Sequence, residues 1–159
     1  MSGYTRDVLF VCRQNTARSQ MAEVLLNHMG GGKFHAESAG IEAGFSVNPL
    51  VVEVMWEIGI DISLRKTKSV FDLFLLNRSY NFVITVCDAT SAEKCPVFPG
   101  KARRLHWSFP DPSTFEGSLE QVLEKTRGVR EAIRSTIVEF ITEYGGQEQR
   151  SVISALNIL

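Results

Sequence analysis

The first clear apolar run, Val8-Leu9-Phe10-Val11, holds no polar residue, which is the pattern of a short strand buried on both faces. It stops at Cys12. A polar loop follows, and from Ser19 onward Gln20-Met21-Ala22-Glu23-Val24-Leu25-Leu26 is good helix-forming sequence. Ala22, Leu25, Leu26 and Met29 recur at helical spacing and predict the buried face of that helix, which Gly30-Gly31-Gly32 ends. Residues 34–39 predict a second strand, with a loop then running through Gly44. Asn48-Pro49 reads as the cap and first turn of a second helix, carrying Val51, Val52, Met55, Trp56 and Ile58 and stopped by Gly59. Beyond the basic turn Arg65-Lys66-Thr67-Lys68, residues 70–76 predict a short helix. Residues 82–87 form the second unbroken strand pattern, ending like the first on a cysteine, Cys87. Residues 88–100 read as a loop, residues 102–105 as a fourth strand, and the prolines of His106-Trp107-Ser108-Phe109-Pro110-Asp111-Pro112 as irregular chain. The last helix is expected from about Ser118 to Tyr144, with Leu119, Val122, Leu123, Ile133, Ile137, Phe140, Ile141 and Tyr144 on its apolar face.

Strand and helix alternate, which predicts an α/β fold: a single domain built on a four-stranded parallel twisted sheet with helices on both faces. In such sheets sites lie beyond the carboxyl ends of the strands, where Cys12 and Cys87 both fall. The length of 159 residues fits one domain with a sizeable core, and 44% hydrophobic residues is ordinary for a globular chain. A net charge of −1 argues against general nucleic-acid binding. No apolar run approaches the roughly 20 residues needed to span a bilayer, and the N-terminus lacks a signal-peptide pattern, so a cytoplasmic protein without membrane contact is expected. A monomer is expected. Residues 147–159 change character, from a polar start to an apolar end, and read as a C-terminal tail of unassigned role after a domain of residues 1–146.

Five residues, Arg13, Gln14, Asn15, Thr16 and Ala17, separate Cys12 from Arg18. A loop between a strand end and a helix start gathers backbone N–H groups around an anion, and the helix dipole adds positive potential. The same field favours a thiolate over a thiol at Cys12. Arg18 adds a planar fork able to hold two oxygens of a tetrahedral oxyanion. The chemistry implied is a nucleophilic thiolate beneath a bound phosphate-like anion. Asn15 has the side chain to hydrogen-bond across the loop, and Ser19 serves either as a donor to the Cys12 thiolate or as a plain helix cap. The three cysteines, Cys12, Cys87 and Cys95, are too few, and odd in number, for a secreted disulfide framework. His28, His35 and His106 show no ligand spacing, so no metal is expected. Cys87 and Cys95 are then either two buried cysteines or a redox pair. Arg65-Lys66-Thr67-Lys68 and Lys101-Ala102-Arg103-Arg104 read as solvated basic faces.

The stretch Cys12-x-x-Asn15-x-x-Arg18-Ser19-Gln20-Met21-Ala22-Glu23 resembles the low-molecular-weight protein tyrosine phosphatase superfamily, and within it the thioredoxin-coupled arsenate reductases. The resemblance runs from Val8 to about Tyr144. It includes Glu37-Ser38-Ala39-Gly40-Ile41, Gly59-Ile60-Asp61-Ile62-Ser63, Val86-Cys87, Lys94-Cys95-Pro96 and the segment from His106 to Pro112. Gln14 stands where glycine is common, and Ala17 where the phosphatases often carry a second cysteine. The resemblance implies that Asp111, in its Asp-Pro pair, is the general acid. The tyrosines that follow this pair in the phosphatases are here Ser113-Thr114-Phe115, which makes a cleft for an aryl phosphate less evident. It further implies a relay in which Cys12 attacks arsenate, Cys87 attacks Cys12 with release of arsenite, and Cys95 takes over the disulfide. An external dithiol, expected to be thioredoxin, then reduces the Cys87–Cys95 pair, with no bound cofactor. The reductases usually space that pair by six residues, and here seven intervene. Glu23 and Ser38 match positions near a monovalent cation in some reductases. The alternative implied is hydrolysis of phosphotyrosine through a Cys12 phosphocysteine, with Cys87 and Cys95 as bystanders.

Overall fold

The computed structural model describes residues 5–146. Strand β1 (Arg6–Cys12) lies in the middle of a four-stranded sheet, with β2 (Phe34–Gly40) on one side and β3 (Phe82–Thr85) then β4 (Arg103–His106) on the other. All three pairings are parallel. Helices α1 (Arg18–Met29), α2 (Pro49–Trp56), α3 (Val70–Leu75), α4 (Ala89–Ala92) and α5 (Leu119–Tyr144) complete the fold, and Pro112–Thr114 forms a single 3-10 turn. The expected single-domain α/β architecture is the one observed.

The unbroken apolar run of β1 is explained by burial on both sides. Val8, Phe10 and Cys12 point into a core shared with α1, α2 and α5, while Leu9 and Val11 point into a second cluster with Val70 and Leu73 of α3, Tyr80, Val83, Cys95 and Phe98. Helices therefore cover both faces, as the alternation predicted. Phe82 and Ile84 of β3 join the first core and Val83 the second, so the face of each strand residue is set by the period-two pleat.

Several local expectations are corrected. Helix α1 begins at Arg18, one residue before the expected start. Helix α2 ends at Trp56, and Glu57, Ile58 and Gly59 close it with turn hydrogen bonds, so Trp56 sits at the helix end with 64% of its surface exposed. Strand β3 ends at Thr85, although the Val86 N–H still reaches Val11 O at 2.8 Å, leaving Cys87 just past the ladder. Within the expected loop 88–100, α4 forms because the Asp88 side chain accepts from Ser91 N at 2.8 Å, a cap that apolar periodicity does not announce. Strand β4 takes in His106, whose Nδ1 lies 2.7 Å from Thr85 Oγ1. On α5 the expected apolar face is buried from Val122 to Ile141, but Leu119, first after the Ser118–Gln121 capping box, is exposed. The expected tail, residues 147–159, lies outside the described residues.

Candidate active site

Cys12 ends β1 and Arg18 begins α1, so the five residues between them turn the chain through the space above the sheet's carboxyl edge. That turn is held from outside. The carbonyls of Cys12, Arg13, Gln14 and Thr16 accept N–H groups of Ile41, Glu42, Gly44 and Asn48 at 2.7–3.0 Å. Carbonyls fixed outward turn the peptide N–H groups inward, the arrangement that binds anions. Asn15 has a φ of 59°, a left-handed backbone that asparagine tolerates better than most residues. Ala17, which caps α1, offers no side-chain cap, so the helix's first N–H groups stay available to a ligand. The resulting pocket is lined by Cys12, Arg13, Gln14, Thr16, Ala17, Arg18 and Asp111, with no aromatic side chain among them.

The nucleophile candidate is surrounded by donors. Cys12 Sγ accepts from the Asn15 backbone N–H at 3.1 Å and lies 2.8 Å from Ser19 Oγ. Asn15 Nδ2 donates to that same Ser19 oxygen at 2.7 Å, leaving the Ser19 proton to point at a Cys12 thiolate. Of the two roles open to Ser19, the contact with sulfur is the one seen. Asn15 Nδ2 also donates to Ser38 Oγ at 3.0 Å, and its Oδ1 accepts from Lys68 N at 2.9 Å and Gln20 Nε2 at 3.2 Å. The asparagine is thus fully bonded and fully buried, and it pins the loop to β2, to α1 and to residue 68.

Behind it, Ser38 Oγ donates to Glu23 Oε1 at 2.6 Å, and the Arg65 guanidinium pairs with Glu23 Oε2. Arg65 Nε donates to Gln20 Oε1 at 2.9 Å. Both Glu23 oxygens are therefore engaged, and the guanidinium supplies the compensating positive charge. These residues do not fit a monovalent cation. Among the described residues, no group of three or more His, Cys, Asp and Glu is placed to hold a metal ion.

Arg18 is 7% exposed, with Nη1 donating to Phe109 O at 3.2 Å and Nη2 3.5 Å from Asp111 Oδ2. Asp111 does two things at once. Its Oδ1 accepts from Ser113 N and Ser113 Oγ and so starts the 3-10 turn, while Oδ2 faces Arg18 at the pocket wall. Cys87 belongs to the same core cluster as Cys12. Burial pushes the Cys87 thiol up to about 11, a negative charge on Cys12 adds to this, and Arg18 opposes it. The two sulfurs are thus within electrostatic reach, and a charge on Cys12 keeps Cys87 protonated. Cys95 is buried in the cluster on the other face of the sheet. The structure brings Cys12, Arg18, Ser19, Asp111 and Cys87 to one place and sets Cys95 apart.

Three contributors are not evident from residue type. Gln20 and Arg65 look like ordinary surface residues but bond the loop from behind. Gly40 ends β2 against the loop, and a Cβ there would stand 2.7 Å from the Gln14 carbonyl carbon and 2.9 Å from Asn15 N. Both are backbone atoms, so the loop itself would have to move. Gly40→Ala is expected to lower the rate of any reaction at Cys12 by about 100-fold through misplacement, and to cost about 1–3 kcal/mol of stability. Steady-state kinetics and a denaturant midpoint check the two effects.

Residues 7–150 match the family model described as low molecular weight phosphotyrosine protein phosphatase. Arsenate reductases of Shouchella clausii and Bacillus subtilis are 39% and 38% identical to the chain, each over 133 residues, 84% of this chain and 93% of theirs. Among solved structures, an arsenate reductase in the phosphate binding state superposes with a TM-score of 0.69 at 29% identity, covering 87% of this chain and 98% of that one. A low molecular weight protein tyrosine phosphatase from T. tengcongensis gives 0.71 at 28% identity, over 87% and 99% of the two chains. A thioredoxin-dependent arsenate reductase of Corynebacterium glutamicum gives 0.60 at 29% identity, over 86% of this chain and 64% of that one.

Proposed function

The chain belongs to the low molecular weight phosphotyrosine protein phosphatase family, and from that premise we propose that it is an arsenate reductase working by a thiol relay. The carrying observation is a second buried thiol, Cys87, coupled electrostatically to the sulfur at the base of the anion pocket. Phosphate-ester hydrolysis needs Cys12, Arg18 and Asp111 and gives Cys87 nothing to do. The pocket's lining supports the same choice, since an aryl group would find no aromatic wall there.

In the proposed reaction, the loop N–H groups and the Arg18 guanidinium hold the arsenate oxygens. The Cys12 thiolate, stabilised by Ser19 and the Asn15 N–H, attacks arsenic, and Asp111 protonates the oxygen that leaves as water. Cys87 loses its proton and attacks Cys12 Sγ. The S–S bond forms, the S–As bond breaks, and its electron pair stays on arsenic, which departs as arsenite. The Cys95 thiolate then attacks Cys87, Cys12 leaves as a thiolate, and the disulfide becomes Cys87–Cys95. An external dithiol of the thioredoxin type reduces it by exchange. The setting proposed is the cytoplasm, where such dithiols are kept reduced. Among the described residues no helix is long and apolar enough to cross a membrane.

The test compares two substrates on one preparation. With thioredoxin, its reductase and NADPH, arsenate is expected to drive sustained NADPH oxidation, while an aryl phosphate is hydrolysed only weakly. Rapid aryl phosphate hydrolysis with no arsenate-dependent NADPH oxidation would instead establish the phosphatase reading.

A further inference from the structure

The Cys12 sulfur stands at one end of a buried chain of hydrogen bonds, and the other end is a guanidinium at the protein surface. Arg65 lies in the turn after α2, where its N–H reaches Ile62 O at 3.1 Å. One edge of its guanidinium meets two residues of α1. Nε donates to Gln20 Oε1 at 2.9 Å, and Nη2 pairs with Glu23 Oε2. Gln20 and Glu23 are three positions apart and so share a helix face. Gln20 is fully buried and Glu23 is 5% exposed, whereas 33% of the Arg65 side chain reaches solvent. Arg65 itself does not line the oxyanion pocket.

Each bond from Arg65 inward has a set direction. An arginine only donates, so it meets the Gln20 oxygen and holds that amide with Nε2 towards the loop. Gln20 Nε2 then donates to Asn15 O at 3.1 Å, to Asn15 Oδ1 at 3.2 Å and to Lys66 O at 3.1 Å. Asn15 Oδ1 is taken up by Gln20 and by Lys68 N, so Nδ2 is the atom left for the two serines. On the second branch, Glu23 Oε1 accepts the Ser38 hydroxyl, and Ser38 Oγ in turn accepts from Asn15 Nδ2. Both branches impose the same orientation on Asn15. Its other Nδ2 hydrogen goes to Ser19 Oγ, which leaves the Ser19 proton for Cys12 Sγ at 2.8 Å.

Without Arg65 the Gln20 oxygen loses its donor and the Glu23 carboxylate its counter-charge. A buried charge without a partner is costly, so the site then admits water or a proton. Either one can donate to Ser38, whose own proton then turns towards Asn15 and competes with Nδ2. We propose that Arg65 is a positioning residue for the Cys12 nucleophile, fixing through Gln20 and Glu23 the orientation of Asn15 that leaves the Ser19 proton to the sulfur. This rests on Cys12 being the nucleophile, which the reductase and phosphatase readings share.

The test uses the full chain in a Cys87→Ser/Cys95→Ser background, where Cys12 is the one thiol, and it needs no arsenate. The readouts at neutral pH are the ultraviolet absorbance of the Cys12 thiolate and the rate of its alkylation by iodoacetamide. Loss of a hydrogen bond to a charged sulfur costs about tenfold in thiolate, and the thiolate that remains is about threefold more nucleophilic. Arg65→Met is therefore expected to lower the absorbance about tenfold and to slow alkylation about threefold. Arg65→Met/Glu23→Gln leaves no unpaired buried charge to upset folding. It is expected to show the same two losses, because a glutamine donates to Ser38 as readily as it accepts. In a Ser19→Ala background, Arg65→Met is expected to change neither readout, since the chain of bonds then stops short of the sulfur. Arg78→Met, which strips the guanidinium from the β2 carboxylate Glu37, is expected to behave as the parent. Parental absorbance and alkylation in Arg65→Met, or a loss that persists undiminished in the Ser19→Ala background, would overturn the role of Arg65. A parent whose Cys12 shows neither thiolate absorbance nor alkylation would overturn the nucleophile reading, and this role with it.

Discussion

Cys87→Ser is expected to end arsenite release while leaving Cys12 able to attack arsenate. Cys87 is the thiol that shares a core with Cys12, and Cys95 points into the opposite cluster, so no described thiol is placed to substitute for it. Serine matches the size of cysteine but cannot form the disulfide whose closure expels arsenic in the reduced state. The loss should be of the size seen for removing a catalytic nucleophile, roughly 10⁴-fold or more in turnover. Arsenite measured by quench-flow checks it, and the intact-mass spectrum of the variant should still show a Cys12 adduct. The parent enzyme carries a pH signature of the same residue. Burial holds the Cys87 thiol at about 11, so it is almost wholly protonated near neutrality, and its thiolate fraction grows about tenfold per pH unit below that value. The single-turnover rate of disulfide closure should accordingly rise between pH 7 and 9. A rate that falls over this range would place the controlling proton elsewhere.

Arg18→Ala is expected to lower kcat/KM for arsenate by about 10²–10³-fold, the usual cost of losing one oxyanion donor. The geometry argues for the upper end. Arg18 is nearly buried, faces Asp111 Oδ2 at 3.5 Å and is anchored on Phe109 O, so its removal also loosens the segment that carries Asp111. Arg18→Lys should recover little, because an ammonium cannot hold two oxygens in a plane. Steady-state kinetics with arsenate, and protection of Cys12 from alkylation by phosphate, separate lost binding from lost acid catalysis.

What could be read from the sequence follows from how each part is held. β1 and β3 are legible because burial on both faces leaves no polar residue in Val8-Leu9-Phe10-Val11 or in Phe82-Val83-Ile84. The loop from Cys12 to Arg18 is legible because its chemistry is local: sulfur, amides and guanidinium lie within seven residues. Helix α1 is harder. Its buried side includes Arg18, Ser19, Gln20 and Glu23, residues whose partners come from far along the chain, such as Arg65 and Ser38. A pattern of apolar spacing does not register a helix face made of bonded polar groups. Arg65 reads as solvated charge because the carboxylate it meets is set by a tertiary contact. Helix α4 was hidden for a different reason, since Ala89-Thr90-Ser91-Ala92 holds no fully buried residue and rests on the Asp88 cap. Asp111 shows the limit of a two-way choice, because it starts a turn with one oxygen and faces the pocket with the other.

In the proposed relay Cys12 and Cys87 supply the electrons that reduce arsenic, and Cys95 then takes over the disulfide. The most direct measurement exposes reduced protein to arsenate without an external dithiol, quenches with an alkylating agent, and maps disulfides by peptide mass. The relay predicts a Cys87–Cys95 disulfide, Cys12 recovered in its alkylated form, and one equivalent of arsenite. Arsenite released while Cys87 and Cys95 are both recovered as alkylated thiols would contradict it.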